Sequence, residues 1–539
     1  MSVRSDRCWP RPSVREPWNS ALPWAPHQSG LAKWSAERWG WKPGDPDWPA
    51  ALALVVCAED EGHTALDWLG VRELWDRRFG EVRIPFPEDL PGPDSWPTEL
   101  FTGGWLHRNK TGGADLIQTA RNAALEARLL EALVGRAAAG GAGLSTQGQE
   151  AALERAGKVK LLLLTGGPGT GKTWTLQRLV ERWSSAVPGL RTVIAAPTGR
   201  AAARVRQSFA AAEAVPGCVT LHRLLGLPSG MGEAWHGRHR PLPFDLVIVD
   251  EASMLDLRTA VALCEALPPE AALILVGDPG QLPSVEAGAV LSDLLKRPEL
   301  ASCTVRLTQR FRLAQKSRTL AQVFDLLQQA VDDPAETAEQ LRVLGAAGAS
   351  DFRWEVTAED EDPGPRALAA WGGSRGLSVE TLGQSVLLSP VHGGPGGTLA
   401  LDALADRSLG RLPGTIAEGL PWMICRNLPH LDLHNGDRGL LVRRDGRLWF
   451  ETGEPGPARW PFSLVSEDGE AAWAVTVHKS QGSEYDRVVL VLPPGSSSGA
   501  VRELLYTGLT RAKTSAVLVA SALSVTRALG RRADRQTGL

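Results

Sequence analysis

From Lys160 onward the chain alternates short apolar runs with stretches of helical periodicity: KLLLLT, TWTLQRLVERW, TVIAAP, then GRAAARVRQSF. Such runs, bounded by turn formers and separated by amphipathic segments, predict parallel strands buried on both faces with crossover helices. The rhythm continues through FDLVIVDE and ALILVGD to about Arg312, resumes at SVLLSP, and returns from Val475 to Ala520. This alternation predicts an α/β chain with two parallel-sheet blocks, at 141–313 and at 314–420 plus 474–539. Residues 331–365 interrupt it with ten acidic and two basic residues, the pattern of a solvated connector. Residues 421–473 carry short strand-like pieces (GLLVRR, RLWFET) and the turns Asn435-Gly436 and Asp445-Gly446, predicting a small β module inserted in the second block.

Residues 1–140 show no chemical motif. TALDWLGVRELWDRRF has helical character, and AAAGGAG at 137–143 reads as a linker. The first 110 residues hold 11 of the 20 tryptophans, among them Trp34, Trp39, Trp41, Trp68 and Trp75. So many indoles predict first a small core and, as the alternative, a docking surface for a partner; the two can coexist. Composition adds constraints. The longest apolar run, Ala50 to Ala58, falls well short of the roughly 18 residues of a spanning helix. No apolar stretch follows the basic N-terminal residues as in a secretory signal. The six cysteines are far apart with no C-x-x-C, against a disulfide framework or zinc ribbon and for a reducing, cytoplasmic setting. A net charge of −3 does not announce nucleic-acid binding, although a basic groove can hide beneath it. Only ten lysines and two tyrosines occur, so positions that keep them stand out.

Gly166-Gly167-Pro168-Gly169-Thr170-Gly171-Lys172-Thr173 follows the run Leu161 to Leu164 and precedes a helical pattern. That is the setting of a phosphate loop: backbone N–H groups and a helix N-terminus surround phosphate oxygens, Lys172 meets the β- and γ-phosphates, and Thr173 supplies a hydroxyl to Mg²⁺. FDLVIVDEAS ends a strand in Asp250-Glu251, facing the same crevice. Asp250 is the candidate for the metal shell and Glu251 for orienting or deprotonating water. Gln281 in LVGDPGQLPSV is placed to sense the γ-phosphate. Arg312 in LTQRFR and Arg511 in YTGLTRAK are candidates to stabilise charge on the transferred phosphoryl group.

GGPGTGKT, APTGRAA, TLHRLLG, VDEAS, GDPGQLPSV, LTQRFR, TVHKSQGSEYD and YTGLTRAK occur in the order of the superfamily 1 helicase motifs. The wording over roughly 145–520 resembles the RecD family, the α subunits of exodeoxyribonuclease V (RecBCD). Both tyrosines and Lys172, Lys479 and Lys513 fall inside these motifs. The resemblance implies two RecA-like motor domains, an SH3-like identity for the β insertion, and an N-terminal, mainly helical domain that docks on a partner. It implies ATP with Mg²⁺, Gln149 at the adenine edge, Trp174 beside the phosphate loop and Glu484 on the ribose. Thr198, Arg200, Thr220, His222, His478 and Ser480 are expected to line single-stranded DNA. Departures are His392, where an arginine is expected before Gly-Pro, and Tyr485, where phenylalanine is usual. The expected activity is an ATP-dependent 5′-to-3′ DNA helicase acting from duplex ends with RecB-like and RecC-like subunits in break repair. Alternatives are a stand-alone helicase of the same type, a regulatory subunit that binds ATP without translocating, and RNA as the track.

Overall fold

The computed structural model describes residues 48–68, 71, 92–102, 104–111, 114–138, 147–209, 217–227, 233–311, 317–329, 333–346, 350–372, 376–453, 458–494, 500–533, 535 and 537–539. Trp34, Trp39, Trp41 and Trp75, and nearly all of the expected linker, lie outside these residues. The described N-terminal part contains helix α1 (Trp48–Asp60) and a three-stranded antiparallel sheet of β1 (Leu66–Asp67), β2 (Leu106–Thr111) and β3 (Ala114–Thr119), ordered β1-β3-β2. The expected helix at 64–79 therefore does not begin at Thr64, because Leu66 and Asp67 pair with Ile117 and Leu116. Helix α2 (Ala120–Ala137) follows, its N-terminus capped by Thr119. Leu129, Leu133 and Ala137 of α2 belong to the core of the first parallel-sheet block, and Arg136 donates to Ala271 O at 2.6 Å. The expected boundary at residue 140 falls just beyond this helix, which packs on the first block.

The first block is a six-stranded parallel sheet of β4 (Leu161–Gly166), β5 (Thr192–Ala196), β6 (Gly217–Thr220), β7 (Leu246–Val249), β8 (Ala272–Gly277) and β9 (Thr304–Leu307). Its order is β6-β5-β7-β8-β4-β9. Leu161 and Leu163 enter one core while Leu162 and Leu164 enter another, so successive residues of β4 feed both faces. That is why the strand reads as an unbroken apolar run, each fully buried leucine contributing about 1.5–3 kcal/mol. Helices α3 (Gly148–Leu153), α4 (Lys172–Ala186), α5 (Gly199–Ser208), α6 (Leu221–Leu225) and α7 (Leu257–Ala266) accompany these strands.

Helices α8 (Arg318–Gln328) and α9 (Pro334–Ala346) lead to β10 (Phe352–Thr357) and β11 (Ser385–Ser389). The expected connector at 331–365 is corrected here: Ala338 and Leu341 of α9 and Phe352 and Trp354 of β10 are core residues. Its acidic count averaged over an amphipathic helix and a strand that hide their apolar sides. An antiparallel sheet follows, built from β12 (Pro421–Ile424), β13 (Arg438–Arg444), β14 (Arg447–Thr452), β15 (Ala458–Pro461) and β16 (Gly469–Ala471), in the order β15-β14-β13-β12-β16. The second parallel sheet is completed by β17 (Ala474–Thr476), β18 (Tyr485–Val491) and β19 (Ala512–Ser521), in the order β10-β19-β18-β11-β17. Helix α10 (Arg502–Leu509) joins β18 to β19. Among the described residues no helix is long and apolar enough to cross a membrane.

Candidate active site

The candidate nucleotide residues gather where the first block's parallel strands end. Between β4 and α4 the loop turns through Gly169 and Gly171 at φ 75° and 83°, backbone that L side chains rarely adopt. A Cβ on Gly171 would also lie 2.5 Å from Gln149 Nε2, and one on Gly166 2.6 Å from Thr170 Oγ1. Lys172 Nζ donates to Gly166 O and Gly167 O at 2.6 and 3.1 Å, which holds the ammonium over the loop. Thr170 is buried and donates to Gly167 O, so its side chain shapes the loop. A cavity of ≈ 460 Å³ opens here, lined by Gln149, Gly167, Pro168, Gly169, Gly171, Lys172, Thr173, Trp174, Asp250, Glu251, Gln281, Glu484 and Arg511. Gly166 and Thr170 stand behind its wall.

Asp250 and Glu251 leave β7 at the cavity floor. Burial, reinforced by Glu251, pushes the Asp250 carboxyl above the usual range against the pull of Arg204 and Lys172. Glu251 has φ 53°, one of three described non-glycine residues with positive φ. Such backbone costs of order 1–3 kcal/mol and is held by its surroundings. The following turn, Ala252–Met254, packs so closely that a Cβ on Gly277 would meet Ser253 N at 2.9 Å. Thr173 and Asp250 face one cavity with oxygen donors, a set that suits Mg²⁺ shared with phosphates.

The other wall comes from the second block. Arg511 is buried, with Nε donating to Thr507 O at 3.1 Å and Nη1 to Ser483 O at 3.3 Å. Gln281 Nε2 donates to Asp278 at 3.3 Å, and the Tyr506 hydroxyl of α10 donates to the same oxygen at 2.9 Å. Gln328 donates to the Tyr506 hydroxyl and accepts from Arg310. Burial and the Asp278 charge keep Tyr506 protonated, so the hydroxyl remains a donor. Leu282 N donates to Thr507 Oγ1 at 2.9 Å. The loop carrying Gln281 is therefore tied to the second block by side chains that composition had marked only as rare tyrosine. Arg312 lies outside the described residues.

Three cavity residues, Phe311, Arg204 and Thr510, escaped the sequence reading. Phe311 is 44 % exposed and its N–H donates to Gly169 O, presenting a ring beside Gln149. The aromatic inside LTQRFR was the available signal. Arg204, in GRAAARVRQ, lines the cavity from α5; nothing in its spacing distinguished it from a surface arginine.

The candidate DNA residues form a second group with a different character. Thr198 and Thr220 cap α5 and α6, their hydroxyls accepting from Ala201 N and Arg223 N. Arg200 donates to Gly436 O at 2.7 Å across the cleft. His222 and His478 are exposed, whereas Ser480 is buried and donates to Val477 O at 2.7 Å. The Ser480 hydroxyl thus serves the local turn.

Two parallel-sheet blocks facing each other across a phosphate loop, an acidic pair and an opposed arginine define a nucleotide-driven motor. Residues 149–287 match the AAA domain family and residues 471–519 the UvrD-like helicase C-terminal domain. The RecBCD enzyme subunit RecD of Mycobacterium tuberculosis is 37% identical over 429 residues, 72% of each chain. That of Mycolicibacterium smegmatis is 34% identical over 91% of this chain and 92% of its own. The ATP-dependent RecD2 DNA helicase of Deinococcus radiodurans is 32% identical over 69% of this chain and 48% of its own. The chain belongs to the RecD family of superfamily 1 helicases. It is an ATP-dependent DNA helicase.

Proposed function

We propose that the chain is the 5′-to-3′ motor of a RecBCD-type helicase–nuclease, working in the cytoplasm on duplex ends with RecB-like and RecC-like subunits. The observation that carries the motor chemistry is the cavity where Lys172, Asp250, Glu251 and Gln281 of one block face Arg511 of the other. Thr173 and Asp250 would hold Mg²⁺, which neutralises charge between the β- and γ-phosphates when bound. Lys172 then compensates the phosphate oxygens, Glu251 orients the attacking water, and Arg511 meets the charge that develops on transfer. Gln149 and Phe311 bound the base and Glu484 meets the ribose.

The subunit reading is supported by the coverage of the mycobacterial relatives, 92% of the M. smegmatis chain against 48% of the D. radiodurans helicase. Trp105, half exposed beside the N-terminal hairpin, is the kind of large rigid aromatic that anchors a partner. Polarity is tested by unwinding duplexes that carry one single-stranded tail. A 5′ tail should support unwinding and a 3′ tail should not; preference for the 3′ tail overturns the polarity and leaves the motor intact.

A further inference from the structure

We infer that Arg204 is a positioning residue: it holds Glu484 where that carboxylate meets the nucleotide's sugar, and so sets the preference for a ribonucleotide over a deoxyribonucleotide. This rests on the reading of Glu484 as the ribose contact. Arg200 and Arg204 lie one turn apart on α5, hence on one face of the helix. Both reach across the cleft to the second block. Arg200 donates to Gly436 O and stands 3.8 Å from Asp437, and Arg204 forms an ion pair with Glu484.

Glu484 closes the loop ahead of β18, and that loop is pinned against α5. Gly482, at φ 76°, approaches so closely that a Cβ there would lie 3.3 Å from Thr198 Oγ1 and from Ala201 Cβ. Gln481 Nε2 donates to Leu282 O and Ser483 O accepts from Arg511, fixing the backbone on the way to Glu484. The side chain is another matter, because it shares the cleft with two further carboxylates. Burial opposes the charge on Arg204, but Glu484, Glu251 and Asp250 together outweigh it. Without that guanidinium, Glu484 faces like charges and is driven from the sugar. A carboxylate has about four acceptor positions, so pairing with Arg204 leaves capacity for a sugar hydroxyl.

The test compares kcat/KM for ATP, 2′-deoxyATP and 3′-deoxyATP in the full chain with single-stranded DNA present. A sugar hydroxyl donating to a carboxylate is worth about 1.5–3 kcal/mol, so one deoxy analogue should be used roughly 10- to 150-fold less well. Arg204→Ala should bring that ratio close to one by raising KM for ATP, with kcat at saturating ATP within a few-fold. Arg204→Lys should restore part of it, and Glu484→Gln should flatten it as Arg204→Ala does. Full discrimination in Glu484→Gln overturns the ribose reading itself. A flattened ratio in Glu484→Gln with full discrimination in Arg204→Ala overturns the role of Arg204 alone. A kcat loss in Arg204→Ala with the ratio unchanged also overturns it, since that pattern belongs to chemistry or fold.

Discussion

The nucleotide cleft and the helix ends proposed to face DNA use polar side chains in different ways. In the cleft, Lys172, Gln281 and Arg511 line the cavity, steadied by the phosphate loop, by Asp278 and by Thr507 O respectively, and the Tyr506 hydroxyl donates to that same Asp278. On the proposed DNA side the hydroxyls of Thr198, Thr220 and Ser480 are spent on the protein's own backbone. What that side presents is helix N-termini. Transferring a phosphoryl group needs charges at fixed points, so the side chain itself is the working part. Gripping a strand of any sequence needs N–H groups pointed at successive phosphates, and there the side chain's task is to make the helix start at the right residue.

The largest effect should come from Lys172→Ala, which removes the ammonium held over the phosphate loop by Gly166 O and Gly167 O. DNA-stimulated ATP hydrolysis should fall by at least the roughly 10²–10³-fold typical of losing one transition-state donor. Circular dichroism should be unchanged. Near-normal turnover would erase the distinction drawn above, since a fixed charge would then be dispensable.

Tyr506→Phe probes the join between the blocks. It deletes the hydroxyl that donates to Asp278, a bond to a carboxylate of about 1.5–3 kcal/mol, while keeping the ring's packing on Phe324. Strand unwinding at saturating ATP should drop about tenfold with hydrolysis within a few-fold, measured as base pairs opened per ATP. Equal losses in both would mean that the tyrosine serves the fold rather than the transmission.

On the DNA side, Thr198→Ala removes a helix cap worth about 1 kcal/mol and should weaken single-strand binding roughly fivefold, by fluorescence anisotropy. Thr198→Ser should restore it. If serine fails, the methyl or a direct DNA contact matters more than the cap.

The smallest effect is a control outside both regions. Asp402 accepts from Ala474 N, and burial pushes its carboxyl up to about 7, with Arg438 pulling it down and Asp406 and Glu470 pushing it up. In the unfolded chain an aspartate titrates near 4. The folded state therefore binds this proton more tightly, and stability falls as pH rises from about 4 to about 7, then levels off. Asp402→Asn should raise Tm at pH 8 by a few degrees and flatten this pH dependence.

The same contrast explains what could be read in advance. Both parallel sheets were legible because strands buried on two faces must be apolar throughout, as in Leu161 to Leu164. The nucleotide residues were legible because loop glycines and phosphate-facing side chains leave few substitutes. Asp278 and Gln328 were not, because their shared partner Tyr506 lies 228 and 178 residues away and ordinary aspartate and glutamine spacing says nothing of it. The strand at Phe352 hid among acids for a related reason: its partner, β19, begins 160 residues later at Ala512.

That last pairing has a consequence for how the protein is made. Strand β10 is an edge of its sheet and bonds only to β19. A ribosome adding 5–20 residues per second takes roughly 10–30 s to pass from one to the other. Throughout that interval the nascent chain carries a strand with Phe352 and Trp354 on one side and unmatched N–H and C=O groups along its length. Such a strand is a template for unwanted pairing. The acids that follow it, Glu359, Asp360, Glu361 and Asp362, put a block of negative charge beside it, where a flanking charge discourages a second nascent chain from adding on. In the finished fold two of these carboxylates take further work, Glu361 pairing with Arg366 and Asp362 accepting from Gly364 N.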